Sequence, residues 1–129
     1  MSLTSMLKNS NSSNSSTSCR GAGAERSGTA EHASLTRLRF TPSLTECVRD
    51  ADFIQENGPE RQDIKRAIVK AIDDASPTHT IIASSASGLV ISDVQSACRH
   101  PERVLIGHPF NPPHLIPLVE VVGGTATSE

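Results

Sequence analysis

The sequence is short of aromatic residues: its 129 residues include three Phe and neither Tyr nor Trp. Because nucleic-acid bases stack on aromatic side chains, this scarcity argues against a base-stacking surface. The formal net charge of −2 is too small to create a strong field toward nucleic acid or an anionic membrane. Every apolar run is shorter than the ~20 residues that a membrane helix needs. We therefore predict neither nucleic-acid nor membrane partners.

Close cysteine pairs are also absent. Cys19, Cys47 and Cys98 are odd in number and widely spaced, unlike the ligands of a zinc site or a CxxC redox pair. This predicts free thiols in a reducing compartment, the cytoplasm. No three histidines stand at metal-ligand spacing, so no metal site is predicted. A Ser-rich segment with no acidic residue before Glu25 resembles a transit peptide in composition, so a mitochondrial location is the alternative.

The first 33 residues differ in composition from the rest of the chain. Residues 1–33 are dominated by Ser, Asn, Thr, Gly and Ala, and such a segment cannot bury enough apolar surface to offset the entropy of ordering it. We predict a disordered tail there, with a mistaken gene start as the alternative. The remaining part, residues 34–129, is predicted to fold as one domain of about 95 residues.

Strand and helix patterns alternate along this second part. Strands are predicted over residues 35–40, 52–55, 80–83, 104–107 and 118–122. A short helix is predicted from a Ser43 cap with Glu46 three residues later, and another over residues 91–98 with Ser92 as a candidate cap. Uninterrupted apolar strands alternating with helices are typical of a parallel sheet covered on both faces. The predicted class is therefore α/β.

The most regular helix pattern follows residues 57–60, where Asn57 suits the cap and Pro59 the first turn. Pro77 ends it. Apolar residues recur at helical spacing from Ile64 onward, and four cations are predicted to mark its solvent-exposed side: Arg61, Lys65, Arg66 and Lys70.

Polar side chains follow the predicted strands at the edge where a parallel sheet binds ligands. The serine loop after residue 83 lacks the G-x-S-x-G pattern of a nucleophile elbow. His108 follows a strand and precedes the stiff turn formed by Pro109 and Pro112. Glu120 stands in an otherwise apolar strand that this turn could bring beside His108. A carboxylate bonded to one imidazole nitrogen fixes the tautomer, as a general base requires. The alternative is a turn histidine and an edge-strand charge.

Four segments together resemble the 3-hydroxyacyl-CoA dehydrogenase family. They are residues 51–57 (ADFIQEN), 83–89 (ASSASGL), 108–112 (HPFNP) and 117–122 (PLVEVV), in the family's order and spacing. The match runs from about Leu35 to Glu129. The FIQE and HPFNPP versions resemble the branch that contains carnitine, gulonate and 3-hydroxybutyryl-CoA dehydrogenases. The resemblance implies a partial Rossmann-like parallel sheet, the C-terminal half of an NAD-binding domain.

The resemblance also implies a role for each matched residue. His108 would take the proton from a 3-hydroxyl group while hydride passes to NAD, and Glu120 would orient it. Ser87 would contact the substrate oxygen near the nicotinamide, and Glu56 and Arg61 would contact NAD. The implied substrate is a 3-hydroxyacyl-CoA, as in fatty acid metabolism, or a related 3-hydroxy acid.

Other parts of the family pattern are not found in the sequence. No G-x-G-x-x-G loop follows a predicted strand, and the family's catalytic asparagine and helical dimer domain are not matched. The family is homodimeric, and these parts supply cofactor, substrate and subunit contacts. We therefore expect this chain alone to bind NAD weakly or not at all and to be inactive. The alternatives are an inactive homologue that acts through association and a gene-prediction fragment.

Overall fold

The computed structural model describes residues 39–113 and 115–129. The disordered tail predicted over residues 1–33 lies outside the described residues, as does most of the strand predicted over residues 35–40. Residues 39 and 40 are not in a strand. The elements in chain order are α1 (Leu44–Val48), β1 (Phe53–Glu56), α2 (Gln62–Ala75), β2 (Ile81–Ser84), α3 (Ile91–Gln95), a 3-10 turn (Pro101–Arg103), β3 (Val104–Pro109) and β4 (Val119–Gly123).

The four strands form one sheet in the order β1-β2-β3-β4. The first three run parallel, which confirms the α/β class with Rossmann-like strand order. β4 runs antiparallel to β3, so the expectation of parallel strands throughout is wrong at this edge. The reason is the short connection between β3 and β4, because a parallel crossover needs about a dozen or more residues.

The described helices pack on one face of the sheet. Side chains on this face of the sheet form a core with the helices: Ile54, Ile82, Val104 and Ile106 from the strands, and Val69, Ile72 and Val94 from α2 and α3. Each such side chain stabilises the fold by about 1.5–3 kcal/mol when fully buried. On the opposite face Ile81 is 44% exposed, so among the described residues the sheet is not covered on both faces. Two successive right-handed crossovers in the same direction place both helices on the same side.

Helix α1 begins at the predicted cap. The Ser43 hydroxyl accepts a hydrogen bond from the Glu46 backbone amide at 3.3 Å. The Glu46 carboxylate accepts from the Thr41 hydroxyl at 2.7 Å, and the Thr41 oxygen accepts from the Ser43 amide at 3.2 Å. Thr41 therefore links the two residues of the predicted capping box.

Helix α2 begins at Gln62, with Arg61 at the cap position, so the predicted cap at Asn57 is wrong. The predicted solvent-exposed side is also wrong at Lys65, which is 0% exposed. Burying a lysine requires a partner for its charge. That partner comes from a strand, so the helical pattern alone does not reveal it. Ser92, the candidate cap of α3, lies inside that helix, whose cap position is Val90.

The amino end of the sheet contains a buried ion pair between Asp73 of α2 and Arg103. The Arg103 Nη2 donates to Asp73 Oδ1 at 2.7 Å, and the two side chains are 5% and 0% exposed. Burial by itself raises the pKa of Asp73, but hydrogen bonds from Arg103 and from the backbone amides of Arg99 and His100 outweigh burial and lower that pKa. This pair fixes the end of α2 against the start of β3.

Candidate active site

The hairpin of β3 and β4 places His108 directly opposite Glu120 in the register. Their side chains lie on the same face, with 3.9 Å between His108 Nδ1 and Glu120 Oε2. That distance is too long for a hydrogen bond and short enough for an ion pair once the ring is protonated. The His108 side chain is 27% exposed and that of Glu120 57%. The ring is therefore half-buried, with a carboxylate that solvent can reach.

Phe110 is the aromatic neighbour of the His108 ring. The two ring centroids are 6.1 Å apart, with 52° between the planes. The backbone amide of Phe110 donates to the Leu118 carbonyl at 3.0 Å, which continues the hairpin past the last residue of β3. The hairpin thus holds both neighbours of the imidazole.

Beneath the ends of β1 and β2 lies a buried polar network centred on Glu56. Glu56 Oε2 accepts from Lys65 Nζ at 2.9 Å and from Ser84 Oγ at 2.6 Å, and Oε1 accepts from the Gly58 amide. Lys65 also donates to the Gly58 carbonyl at 3.2 Å. A Cβ at Gly58 would come within 2.6 Å of Glu56 Oε1, so the loop needs glycine there. Glu56 is 0% exposed, and its carboxylate points into the protein.

Glu60 is the exposed carboxylate at the same edge. Its Oε1 accepts from the backbone amides of Ser87 and Gly88 at 2.9 and 3.0 Å. The Gly88 amide is the main cause that lowers the pKa of Glu60, and the Ser87 amide and the Lys65 charge add to it against partial burial. Glu60 Oε2 is 4.0 Å from Lys65 Nζ. Glu60 therefore joins the loop after β1 to the loop after β2.

The other predicted site residues lie on these loops. Ser87 is exposed, and a Cβ at Gly88 would meet nothing within 4 Å, so there is open space beside the serine. Arg61 precedes α2, and its guanidinium is paired with Asp63 at 2.7 Å on the surface. His108 and Glu120 thus form one group, and Ser87 joins a second group with Glu60.

Sequence reasoning did not single out Glu60 and Lys65 as site residues. Glu60 lies in the segment 57–60 that starts the predicted helix, and Lys65 lies on that helix's predicted solvent-exposed side. Glu60 contacts Ser87, which lies 27 residues later in the chain, and Lys65 contacts Glu56, which lies 9 residues earlier. A signal was present in the sequence only for Lys65, as a cation at the same helical spacing as buried Val69 and Ile72.

Residues 39–113 and 115–129 contain no metal-ligand cluster, membrane-spanning helix or disulfide. No group of three His, Cys, Asp or Glu side chains there could hold a metal ion, and no helix there has the length and apolarity to cross a membrane. Cys47 and Cys98 form no disulfide, and Cys19 lies outside the described residues. Burial raises the pKa of the Cys98 thiol to about 11.

Residues 4–129 match the family model described as 3-hydroxyacyl-CoA dehydrogenase, NAD binding domain. The chain is 52% identical over 104 residues to an L-carnitine dehydrogenase of Streptomyces griseus, covering 81% of this chain. Among solved structures, an NAD-dependent dismutase that is a pyridine-carboxylic acid 5-dehydrogenase is 40% identical, with a TM-score of 0.66 over 70% of this chain and 29% of its own. The 3-hydroxybutyryl-CoA dehydrogenase of Escherichia coli K12 is 31% identical, with a TM-score of 0.69 over 72% of this chain and 20% of its own.

The chain spans about a third of the length of the curated relatives that it matches, 31% of the Streptomyces protein. The matched family range starts at residue 4, earlier than the resemblance seen from about Leu35.

Proposed function

The chain belongs to the 3-hydroxyacyl-CoA dehydrogenase family, and from this we propose that it forms part of an enzyme that oxidises the 3-hydroxyl group of a 3-hydroxyacyl-CoA or a related 3-hydroxy acid. NAD is the cofactor of the matched domain. The observation that carries the proposal is the pairing of His108 with Glu120 at the end of β3. Relatives named for carnitine and for 3-hydroxybutyryl-CoA support a substrate with a 3-hydroxyl group.

The residues at the carboxyl ends of β1 and β2 fit a nicotinamide cofactor. The Ser87 hydroxyl is exposed beside open space at Gly88, and Glu60 offers a partly exposed acceptor. We propose that Ser87, Glu60 and Arg61 would hold the cofactor there. Because both oxygens of Glu56 already accept hydrogen bonds inside the protein, its effect on the cofactor would pass through the loop at Gly58.

When bound, NAD supplies the acceptor for the hydride that leaves C3 of the substrate. His108 Nε2 takes the hydroxyl proton as the carbonyl forms, and His108 becomes an imidazolium. Glu120 faces Nδ1 at 3.9 Å and stabilises that positive charge. Catalytic hydrogen bonds are often long without substrate and shorten when it binds. Ser87 orients the reacting oxygen through its hydroxyl.

A chimera tests this proposal, because the chain corresponds to a third of its relatives. Residues 39–129 would replace the matching segment of the Streptomyces griseus L-carnitine dehydrogenase, and NADH formation would be followed with L-carnitine and with 3-hydroxybutyryl-CoA. We expect turnover of at least one substrate. His108→Gln should lower kcat by about a thousandfold, within the usual range for a lost general base, and Glu120→Gln should lower it less.

The matched control is His79→Gln. His79 is 67% exposed and paired with Asp52 at 3.6 Å near the start of β2, so kcat should stay within about twofold of the chimera, because exposed pairs contribute little. Retention of full activity by His108→Gln would refute the proposed role of the imidazole.

A further inference from the structure

The Gln55 side chain reaches across the sheet to the strand that carries His108. Gln55 Nε2 donates to the carbonyl oxygen of Gly107 at 2.9 Å. Gln55 lies on β1 opposite Ala83 of β2, and Ala83 lies opposite Leu105 of β3. The amide therefore passes over the whole width of β2 to meet the residue before the imidazole.

The Gly107 carbonyl needs such a donor. The register between β2 and β3 ends at Ser84 and Ile106, so β2 offers no paired residue opposite Gly107. Gly107 is itself buried, and a buried carbonyl without a hydrogen bond costs stability. The Gln55 amide extends the pairing of β3 on this side by one residue.

Small residues make room for the Gln55 side chain. Ala83 is 1% exposed, and a Cβ on Gly107 would lie 3.0 Å from the Ala83 Cβ and 3.6 Å from Gln55 Oε1. A larger residue at either position would lift the amide away from the carbonyl. The contact therefore depends on three positions from three strands.

We propose that Gln55 is a positioning residue for His108. The peptide unit between Gly107 and His108 is planar, so a hydrogen bond to the Gly107 oxygen fixes the plane that contains the His108 nitrogen. That plane sets the direction of the His108 side chain toward Glu120. Gln55 acts through the backbone, from the sheet face opposite the imidazole. This inference rests on the proposed function, because it assumes that the His108 ring is the reactive group.

The test uses nitrogen-15 NMR of the imidazole rings in the full 129-residue chain, with His108 assigned from the loss of its signals in His108→Gln. Gln55→Met keeps the length of the side chain and removes the donor, and Gln55→Glu keeps its shape with an ionised carboxylate that cannot donate. In both variants we expect the His108 ring shifts to move toward those of the exposed His79. If the hydrogen bond from Gln55 to Gly107 had only a structural role, its removal would lower the melting temperature without moving the His108 ring shifts.

Gln62→Leu is the matched control. It removes a side-chain amide that donates to Asp93 at 3.0 Å on the surface, and it should leave the His108 signals in place. Unchanged His108 signals in a folded Gln55→Met or Gln55→Glu chain would overturn the inference.

A measurement on the unmodified chain covers the case in which neither variant folds. A scalar coupling through the hydrogen bond between the Gln55 side-chain nitrogen and the Gly107 carbonyl carbon should be detectable, and its absence would overturn the inference. The chimera with His108→Gln decides the proposed function separately, so the two failures are distinguishable.

Discussion

Helix α2 carries two buried charges about two turns apart, Lys65 toward the carboxyl end of the sheet and Asp73 toward the amino end. Each pairs with an opposite charge, Glu56 and Arg103 respectively. Both pairs are almost completely buried, but they differ in what surrounds them.

Around Asp73, the hydrogen bonds of both charged side chains go to groups within the fold. Asp73 accepts from Arg103 and from the Arg99 and His100 amides, and Arg103 also donates to the carbonyls of Pro77 and Thr80. Around Lys65, the contacts continue outward to a half-exposed carboxylate on a surface loop. The Asp73–Arg103 pair therefore contacts only groups that hold the fold together, whereas the Glu56–Lys65 pair connects the core to the candidate site.

Removal of Arg103 should have the largest effect on stability. Arg103→Met leaves Asp73 buried without its cation, and breaking a buried pair in this way costs about 3–5 kcal/mol. We expect a loss of this size in the free energy of unfolding, measured by urea denaturation followed by circular dichroism. Arg99→Met is the control, because its pair with Asp74 is exposed and should contribute less than about 1 kcal/mol. Equal losses in the two variants would show that the buried Asp73–Arg103 pair contributes no more to stability than an exposed pair does.

Removal of Lys65 should have an intermediate effect. Lys65→Met takes a donor from one backbone carbonyl, that of Gly58, whereas Arg103→Met takes donors from three. We therefore expect a smaller loss, of about 2–3 kcal/mol, in the free energy of unfolding. Faster hydrogen exchange at the Ser87 and Gly88 amides should accompany it.

The double variant Lys65→Met with Glu56→Gln serves as the control for Lys65→Met. It leaves no buried charge at this end of the sheet, so it should be more stable than the sum of the two single changes predicts. Simple additivity would show that the two charges do not interact.

Acidification should have the smallest effect on the free energy of unfolding. It should also distinguish Asp73, near the end of α2, from Glu60, just before its start. The folded-state pKa of Asp73 lies below its usual value of 3.8. Its contribution to stability is therefore fully present above that value and is lost as the pH falls through the lower, folded-state pKa. Asp73→Asn should make the urea midpoint less dependent on acidic pH. Glu60→Gln should do so less, because Glu60 is 44% exposed and solvent screens its charge. A larger effect from Glu60→Gln would reverse the comparison.

The sequence predicted most strands to within one residue, and the deviations have physical causes. β1 and β2 each end one residue later than predicted, at Glu56 and Ser84. These two residues are register partners whose side chains form a hydrogen bond at 2.6 Å. Pairing between strands decides such ends, and the hydrophobic pattern of one strand carries no record of its partner.

The candidate site was predictable where its residues are close in the chain. His108 lies near the end of β3 and Glu120 near the start of β4, so the short connection between these strands brings them together. Their roles stay predictions. Gln55 was not predictable, because its contact with Gly107 spans 52 residues and depends on the order of the strands. The position of Glu56 after a predicted strand marks it as a site candidate, and the resemblance implies its contact with NAD. Its burial could not be predicted from that position, because the partners that bury it come from α2 and β2.

All five residues of β4 are exposed, and the buried core cluster of the described residues takes none of its members from this strand. Glu120 can therefore change without opening a cavity or stranding a charge in the interior. The fold is therefore maintained by residues other than Glu120, and a variant at this position should remain folded while the proposed activity is measured.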